Sequence, residues 1–219
     1  MPQTASRGPG RPPAAKADET RKRIVDAARQ VFSERGYEGA TFQAIATHAD
    51  LTRPAINHYF ASKRALYTEV ADRTNELVVC AGIERARAES TLMGRLGAFI
   101  IVAMEVDSQH RGTAAFLATA VLESQRHPEL RRVDNDAVCT TRDFLCSAVG
   151  EAVASGELAP GVDVGAVSEA LLLVLCGVGF YAGFVGSYQE IENILATLRQ
   201  MIAGGLWKSS PDAAAPGAR

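Results

Sequence analysis

From Thr41 to Leu66 the chain reads TFQAIATHADLTRPAINHYFASKRAL, a pattern that fits two short helices joined by a tight turn. Thr41 is placed to cap the first helix, which buries Phe42, Ile45 and Ala46. Asp50 falls in the turn, where a left-handed backbone favours Gly but tolerates Asp or Asn. Thr52 caps the second helix, and Pro54 is acceptable because the first turn needs no amide partner there. In this second helix Ala55, Ile56, Tyr59 and Phe60 take the inward positions at helical spacing. Arg53, Pro54, Asn57 and His58 are therefore expected to look outward from one side. Such a mix of donors, an acceptor and a cation suits base edges and phosphates in a major groove. The competing reading is an ordinary solvated face.

Charge distribution favours the first reading. The 219 residues carry a formal net charge of −2 and are 47% hydrophobic, the balance of a soluble globular chain. Up to Arg64 there are 11 Lys and Arg against 6 Asp and Glu, a net of +5. The remainder holds 12 against 19, a net of −7. A basic head on an acidic body fits one region that meets a polyanion and another with a different task. The four cysteines (Cys80, Cys139, Cys146, Cys176) form no CxxC pair, and no signal peptide precedes them, so reduced thiols in a cytoplasmic protein are expected. Cys139 and Cys146 share one side of a helix and read as small packing residues. His48, His58, His110 and His127 lack metal-ligand spacing, so no metal site is assigned.

The rest of the chain reads as helical throughout, giving an all-α fold. Residues 1–17, rich in Pro, Gly and basic residues, are expected to form a disordered basic arm. Within it Arg7 to Pro12 is similar to short Arg-Gly-Pro arms that lie in a minor groove, with Arg7 and Arg11 as the contacts; a solubilising tail is the alternative. The head, 18–64, starts with a helix capped by Asp18, buries Ile24, Ala27, Ala28, Val31 and Phe32, and stops at Gly36. Ser62 caps a long connecting helix, with Lys63 at its positive end and Leu66, Val70 and Leu77 inward. A cation there opposes the helix dipole, which makes sense beside a phosphate. The body, 65–207, continues with helices about 91–106, 113–126, 128–154, 163–186 and 188–206, and a loose tail follows over 208–219. Pro128 suits a first turn, Gly156 a stop, Asp163 an N-cap, and Ser187 to Glu190 a capping box.

Ala170 to Gly186, ALLLVLCGVGFYAGFVG, is free of charge but shorter than the roughly 20 residues of a membrane span. No flanking Lys or Arg marks an orientation, so a buried helix is the reading and no membrane is expected. Its glycines (Gly177, Gly179, Gly183, Gly186) cost helix propensity and are expected to let another helix approach closely. They miss the dinucleotide fingerprint, and no strand precedes them. No GxSxG, Walker A or HExxH motif occurs, so no catalytic residue, cofactor or enzyme activity is assigned. Core packing explains Phe99, Phe116, Phe144, Phe180, Tyr181 and Phe184, and surface ion pairs explain Glu123, Arg126 and Arg142.

The stretch Thr20 to Leu66 resembles the DNA-binding domain of the tetracycline-repressor (TetR-like) family of transcriptional regulators. The carrying residues are Ile24 to Gly36, Gly39-Ala40-Thr41, Ile45-Ala46, Leu51-Thr52-Arg53-Pro54, His58-Tyr59-Phe60, Ser62-Lys63 and Leu66. Two positions depart from the common pattern, with Asp50 at the usual turn Gly and Asn57 where an aromatic residue is frequent. The resemblance implies phosphate contacts from Thr41, Thr52, Tyr59 and Lys63. It places Gln43, Arg53, Pro54, Asn57 and His58 near bases or backbone. It further implies a homodimer on a palindromic duplex operator, joined through helices 128–154 and 163–186. The six body aromatics would then line a cavity for a small-molecule effector, expected to be apolar, that releases a repressor from DNA. A small-molecule-binding helical protein or enzyme with a vestigial helix-turn-helix is the rival.

Overall fold

Every helix start assigned to a Thr, Ser or Asp cap from Thr41 onward, where the side chain is described, closes as a side-chain cap. A computed structural model describes residues 13–131, 136–186 and 188–202 and holds no strand among them. The helices are α1 (Pro13–Gly39), α2 (Phe42–His48), α3 (Arg53–Tyr59), α4 (Lys63–Asn75) and α5 (Ala81–Ala86), then α6 (Leu92–Gln109), α7 (Thr113–Arg126), α8 (Ala137–Ala154), α9 (Val164–Phe184) and α10 (Tyr188–Ile202). The first helix begins at Pro13, earlier than the Asp18 cap expected, because Ala14 to Ala17 carry good helix formers that extend it backward. Gly36 breaks it with φ 69°, and a single turn follows to Gly39. Residues 1–12, with Arg7 and Arg11, lie outside the described residues, as do Ser187 and the tail from 203.

Between α4 and α5 the rod is continuous through a π-helical turn, Glu76–Cys80, which buries Val78 and Val79. This wider turn was not anticipated. Pro128 opens only a 3-10 turn to Leu130, and α8 starts at Ala137 under the Asp136 carboxylate. The helix expected from Pro128 is therefore shorter, because Asp136 recruits the free amides of Val138 and Cys139 and sets a new start.

Two cores form. The first packs α1 to α4 around Ile24, Val31, Phe32, Ile45, Ile56, Leu66 and Val70, and it includes Phe116 of α7 and Leu130. Head and body thus share a core. Arg29 of α1, 1% exposed, ties the head to α4 by donating to Thr74 Oγ1 at 3.0 Å and pairing with Asp26 at 3.0 Å. Burial lowers its pKa, and the Asp26 carboxylate opposes that. The second core joins α6, α8 and α9 through Leu92, Leu96, Leu145, Val149 and Leu172.

The α9 helix is not the buried helix expected. Ser168 and Leu172 face inward, but Leu173 is 73% exposed, Phe180 55% and Phe184 49%. One stripe packs on α7 and α8, and among the described residues nothing covers Leu173, Phe180 and Phe184 of the other. The glycines divide accordingly. At Gly183 a Cβ would stand 2.7 Å from Ala115 Cα, so that glycine lets α9 touch the α7 backbone. At Gly177 and Gly179 no atom lies within 4 Å of such a Cβ. By contrast the outward face of α8 is polar, with Cys139, Asp143, Ser147 and Glu151 exposed.

Candidate nucleic-acid interface

The outward face of α3 depends on how the head's turn is held. Thr41 caps α2, its hydroxyl accepting from Ala44 N–H at 3.1 Å. Asp50 then takes φ 51°, the left-handed conformation that the turn demanded. Arg23 of α1 pins that turn, its Nη2 donating to Ala49 O at 2.5 Å and Asp50 O at 3.1 Å. Leu51 packs partly into the core, and Thr52 caps α3 by accepting from Ala55 N–H at 3.4 Å. With the turn fixed, Ile56 and Phe60 are buried while Arg53, Pro54, Asn57 and His58 stand in solvent. Inward and outward residues fall as the spacing predicted. Among the described residues Arg53 makes no ion pair, so its charge is not neutralised by a neighbouring carboxylate.

Thr41 and Gln43 are likewise exposed on α2 and its cap, and Thr52 on the cap of α3. Tyr59 is half-buried against the head core, its ring meeting His58 edge-on at 5.3 Å. Lys63, expected as a phosphate contact, has partners within the head as well. Its Nζ donates to Tyr37 O at 2.7 Å and Glu38 O at 3.3 Å, and lies 4.4 Å from the Tyr37 ring centre. The free carbonyls at the end of α1 therefore stabilise this cation beside the α4 N-terminus. Ser62 caps α4 as anticipated, accepting from Ala65 N–H at 3.1 Å.

Two basic residues that the sequence reading passed over also shape the face. Besides Arg23, Arg21 pairs with Glu69 at 3.1 Å, donates to Tyr59 O at 3.5 Å and stacks 4.5 Å over Phe60. It thereby fixes the C-terminal end of α3 to α1 and α4. Arg73 completes the brace at 2.8 Å from Glu69, and hydrogen bonding by Arg21 first, then Arg73, holds that carboxyl below its ordinary pKa. Single basic residues scattered along a helix give no sequence signal of such a role.

The body aromatics do not line one cavity. Phe116 sits in the head core, its ring 5.4 Å from Tyr67. Phe99 stacks on Phe144 at 6.0 Å, whereas Phe180 and Phe184 face outward from α9 and Tyr181 is half-buried. They lie on four helices whose packing sends them to different places. Arg142 pairs with Glu169 at 2.5 Å at the surface, as expected, and Arg126 approaches Glu123 at 3.8 Å, but Glu123 is buried rather than at the surface. A cleft of about 530 Å³ does open in the body, lined mainly by polar side chains including Arg87, Arg95, Asp143 and Glu151.

Comparison with known proteins places the head and the fold. Residues 24–70 match the model of bacterial regulatory proteins of the tetR family. The HTH-type transcriptional regulator UidR of Escherichia coli K12 is 27% identical over 164 residues, covering 74% of this chain and 81% of UidR. FadR from Bacillus subtilis, solved with stearoyl-CoA, superposes with a TM-score of 0.66 at 20% identity, covering 84% of this chain and 98% of FadR. AibR, solved with isovaleryl coenzyme A and operator DNA, superposes with a TM-score of 0.65 at 19% identity, covering 83% of this chain and 97% of AibR. Residues 24–70 thus match the DNA-binding head of the tetR family, and the described chain shares its fold with solved TetR-family regulators.

Proposed function

We propose that the chain is a homodimeric cytoplasmic repressor that reads a palindromic operator through α3 of each subunit and leaves it when a small molecule occupies the body. The observation that carries this reading is the exposed face of Arg53, Pro54, Asn57 and His58 on a helix whose other side is locked into the core. Asn57 is suited to a bidentate contact with adenine, and Arg53 to guanine or phosphate. Thr41, Gln43, Thr52 and Tyr59 would set the register on the backbone. The chain carries regulation rather than catalysis on this reading. That AibR was solved with both a coenzyme A thioester and operator DNA supports an effector-responsive body.

For the dimer, the uncovered apolar stripe of α9 favours α9, extended by Ile194 and Met201 of α10, over the polar outward face of α8. A two-fold pairing of this stripe spaces the two α3 helices and thereby fixes the half-site separation. It also accounts for the helix without a membrane, although α9 is long and apolar enough by length and composition to span one.

The test is a gel shift at fixed salt on DNA flanking the protein's own gene. Wild type should prefer one fragment, and Asn57→Ala should lose that preference, with a cost of about 1–3 kcal/mol, while keeping unspecific binding. Absence of any fragment preference in the wild type would refute operator reading and favour a helix-turn-helix retained by descent.

A further inference from the structure

We propose that the effector is a small organic anion, and that its carboxylate or phosphate displaces Glu151 from Arg95 in the cleft between α5, α6 and α8. This deepens, and rests on, the reading of the body as an effector domain. The cleft, about 530 Å³, falls in the size range of small-molecule sites, roughly 300–1,000 Å³. Its polar lining does not suit the apolar effector expected from the sequence. Arg95 and Arg87 supply guanidinium groups, Thr140 and Ser147 supply hydroxyls, and Asp143 can accept from a ligand's own donors.

Anion selectivity follows from which partner is fixed. The Arg95 side chain is only 19% exposed, and its Nε donates to Glu89 O at 3.0 Å, so its position is set by the fold. Its ion-pair partner Glu151, at 2.7 Å, is 59% exposed and held besides only by Ser147 Oγ at 3.2 Å. A pair with one such solvated partner is weak, screened by water on the carboxylate side, so a ligand anion can replace it. A planar guanidinium receives a carboxylate or phosphate through two parallel hydrogen bonds. Once Glu151 swings into solvent, another anion is the strongest replacement partner for Arg95.

The cleft is also connected to the rod that enters the head. Phe144, which lines it, stacks on Phe99 with ring planes 16° apart. The Phe99 ring lies so close to Gly82 of α5 that a Cβ there would stand 2.8 Å from it. Gly82 follows the π-helical turn, and α4 beyond it carries Thr74, the partner of buried Arg29. A ring-bearing anion that shifts Phe144 therefore bears on the segment between body and head, with the wide turn as its pliant point.

Phenyl phosphate is the probe, with phenol as the neutral control, tested on the full chain by thermal unfolding and calorimetry. At about 10 mM phenyl phosphate should raise the wild-type melting temperature and phenol should not. Arg95→Gln should weaken phenyl phosphate binding at least about tenfold. Glu151→Gln, which frees Arg95 without removing it, should tighten it several-fold and guards against a folding defect in the first variant. No shift in the wild type, an equal response in Arg95→Gln, or an equal effect of phenol overturns the proposal. Operator binding measured on the same samples separates the two readings. A wild type that binds its operator yet ignores the probe refutes the anion site alone, whereas one that never prefers an operator refutes the regulator reading itself.

Discussion

Asp50 is the one non-glycine residue with a positive φ among the described residues, and it sits where the helix-turn-helix reverses. Its side chain tolerates the left-handed region better than a branched one. Asp50→Val should therefore cost about 1–2 kcal/mol, and Asp50→Gly should stay within about 0.5 kcal/mol of wild type, both read from urea midpoints at unchanged slope. Glu69 gives a second residue-level expectation. Its folded pKa is depressed by Arg21 and then Arg73, so its contribution is full above the ordinary carboxylate value, about 4.3, and is lost as pH falls through the lower folded value. Glu69→Gln should lower stability by about 0.5–1 kcal/mol at neutral pH, and the difference from wild type should shrink toward zero in acid, once pH falls below the depressed folded value. A pH-independent difference would rule out the ion pairs as its origin. At this scale the caps Thr41, Thr52 and Ser62 were legible because a hydroxyl seeking a free amide acts within three residues. Lys63 was not, because the carbonyls that hold it come from Tyr37 and Glu38, distant in sequence.

Among the elements, α7 holds a place that its sequence does not advertise. It runs along α1, lends Phe116 to the head core, and meets α9 where Gly183 touches the Ala115 backbone. A methyl group at Gly183 faces main chain rather than a flexible side chain, so the helices must separate to admit it. Gly183→Ala should cost about 1–3 kcal/mol by denaturant unfolding despite its better helix propensity. A gain in stability would show that α7 and α9 are not held at that distance. The helices were read in the correct order, because caps and apolar spacing are local, but the one connecting helix expected from Lys63 is divided into α4 and α5. The late start of α8 and the π-helical turn before α5 escaped, since one displaced amide or one extra residue in a turn barely changes the apolar period.

At the scale of the molecule, the unfilled stripe of Leu173, Phe180 and Phe184 matters most for assembly. An aspartate at Phe180 would be buried unpaired in a paired α9, at a cost of several kcal/mol, yet would lie in water in a lone chain. On the proposed α9 pairing, Phe180→Asp should therefore give a monomer in analytical ultracentrifugation and abolish binding to a palindromic fragment, with the melting behaviour of the monomer intact. A dimer that survives this change would place the contact elsewhere. Head and body share a core in this architecture, since Phe116 and Leu130 close it around α1 to α4.

The division between what could be read and what had to be seen follows the range of the forces involved. Helical spacing, capping hydroxyls, the reversal at Asp50 and the exposed side of α3 are set by neighbours within a turn or two, so the order of amino acids alone determined them. Long-range packing decided that Phe116 belongs to the head, that Arg21 and Arg23 clamp α3, that α9 keeps an open apolar side, and that the body's cleft is polar. Each of these depends on which distant helix arrives at a given face, and an apolar residue carries no label for its eventual partner.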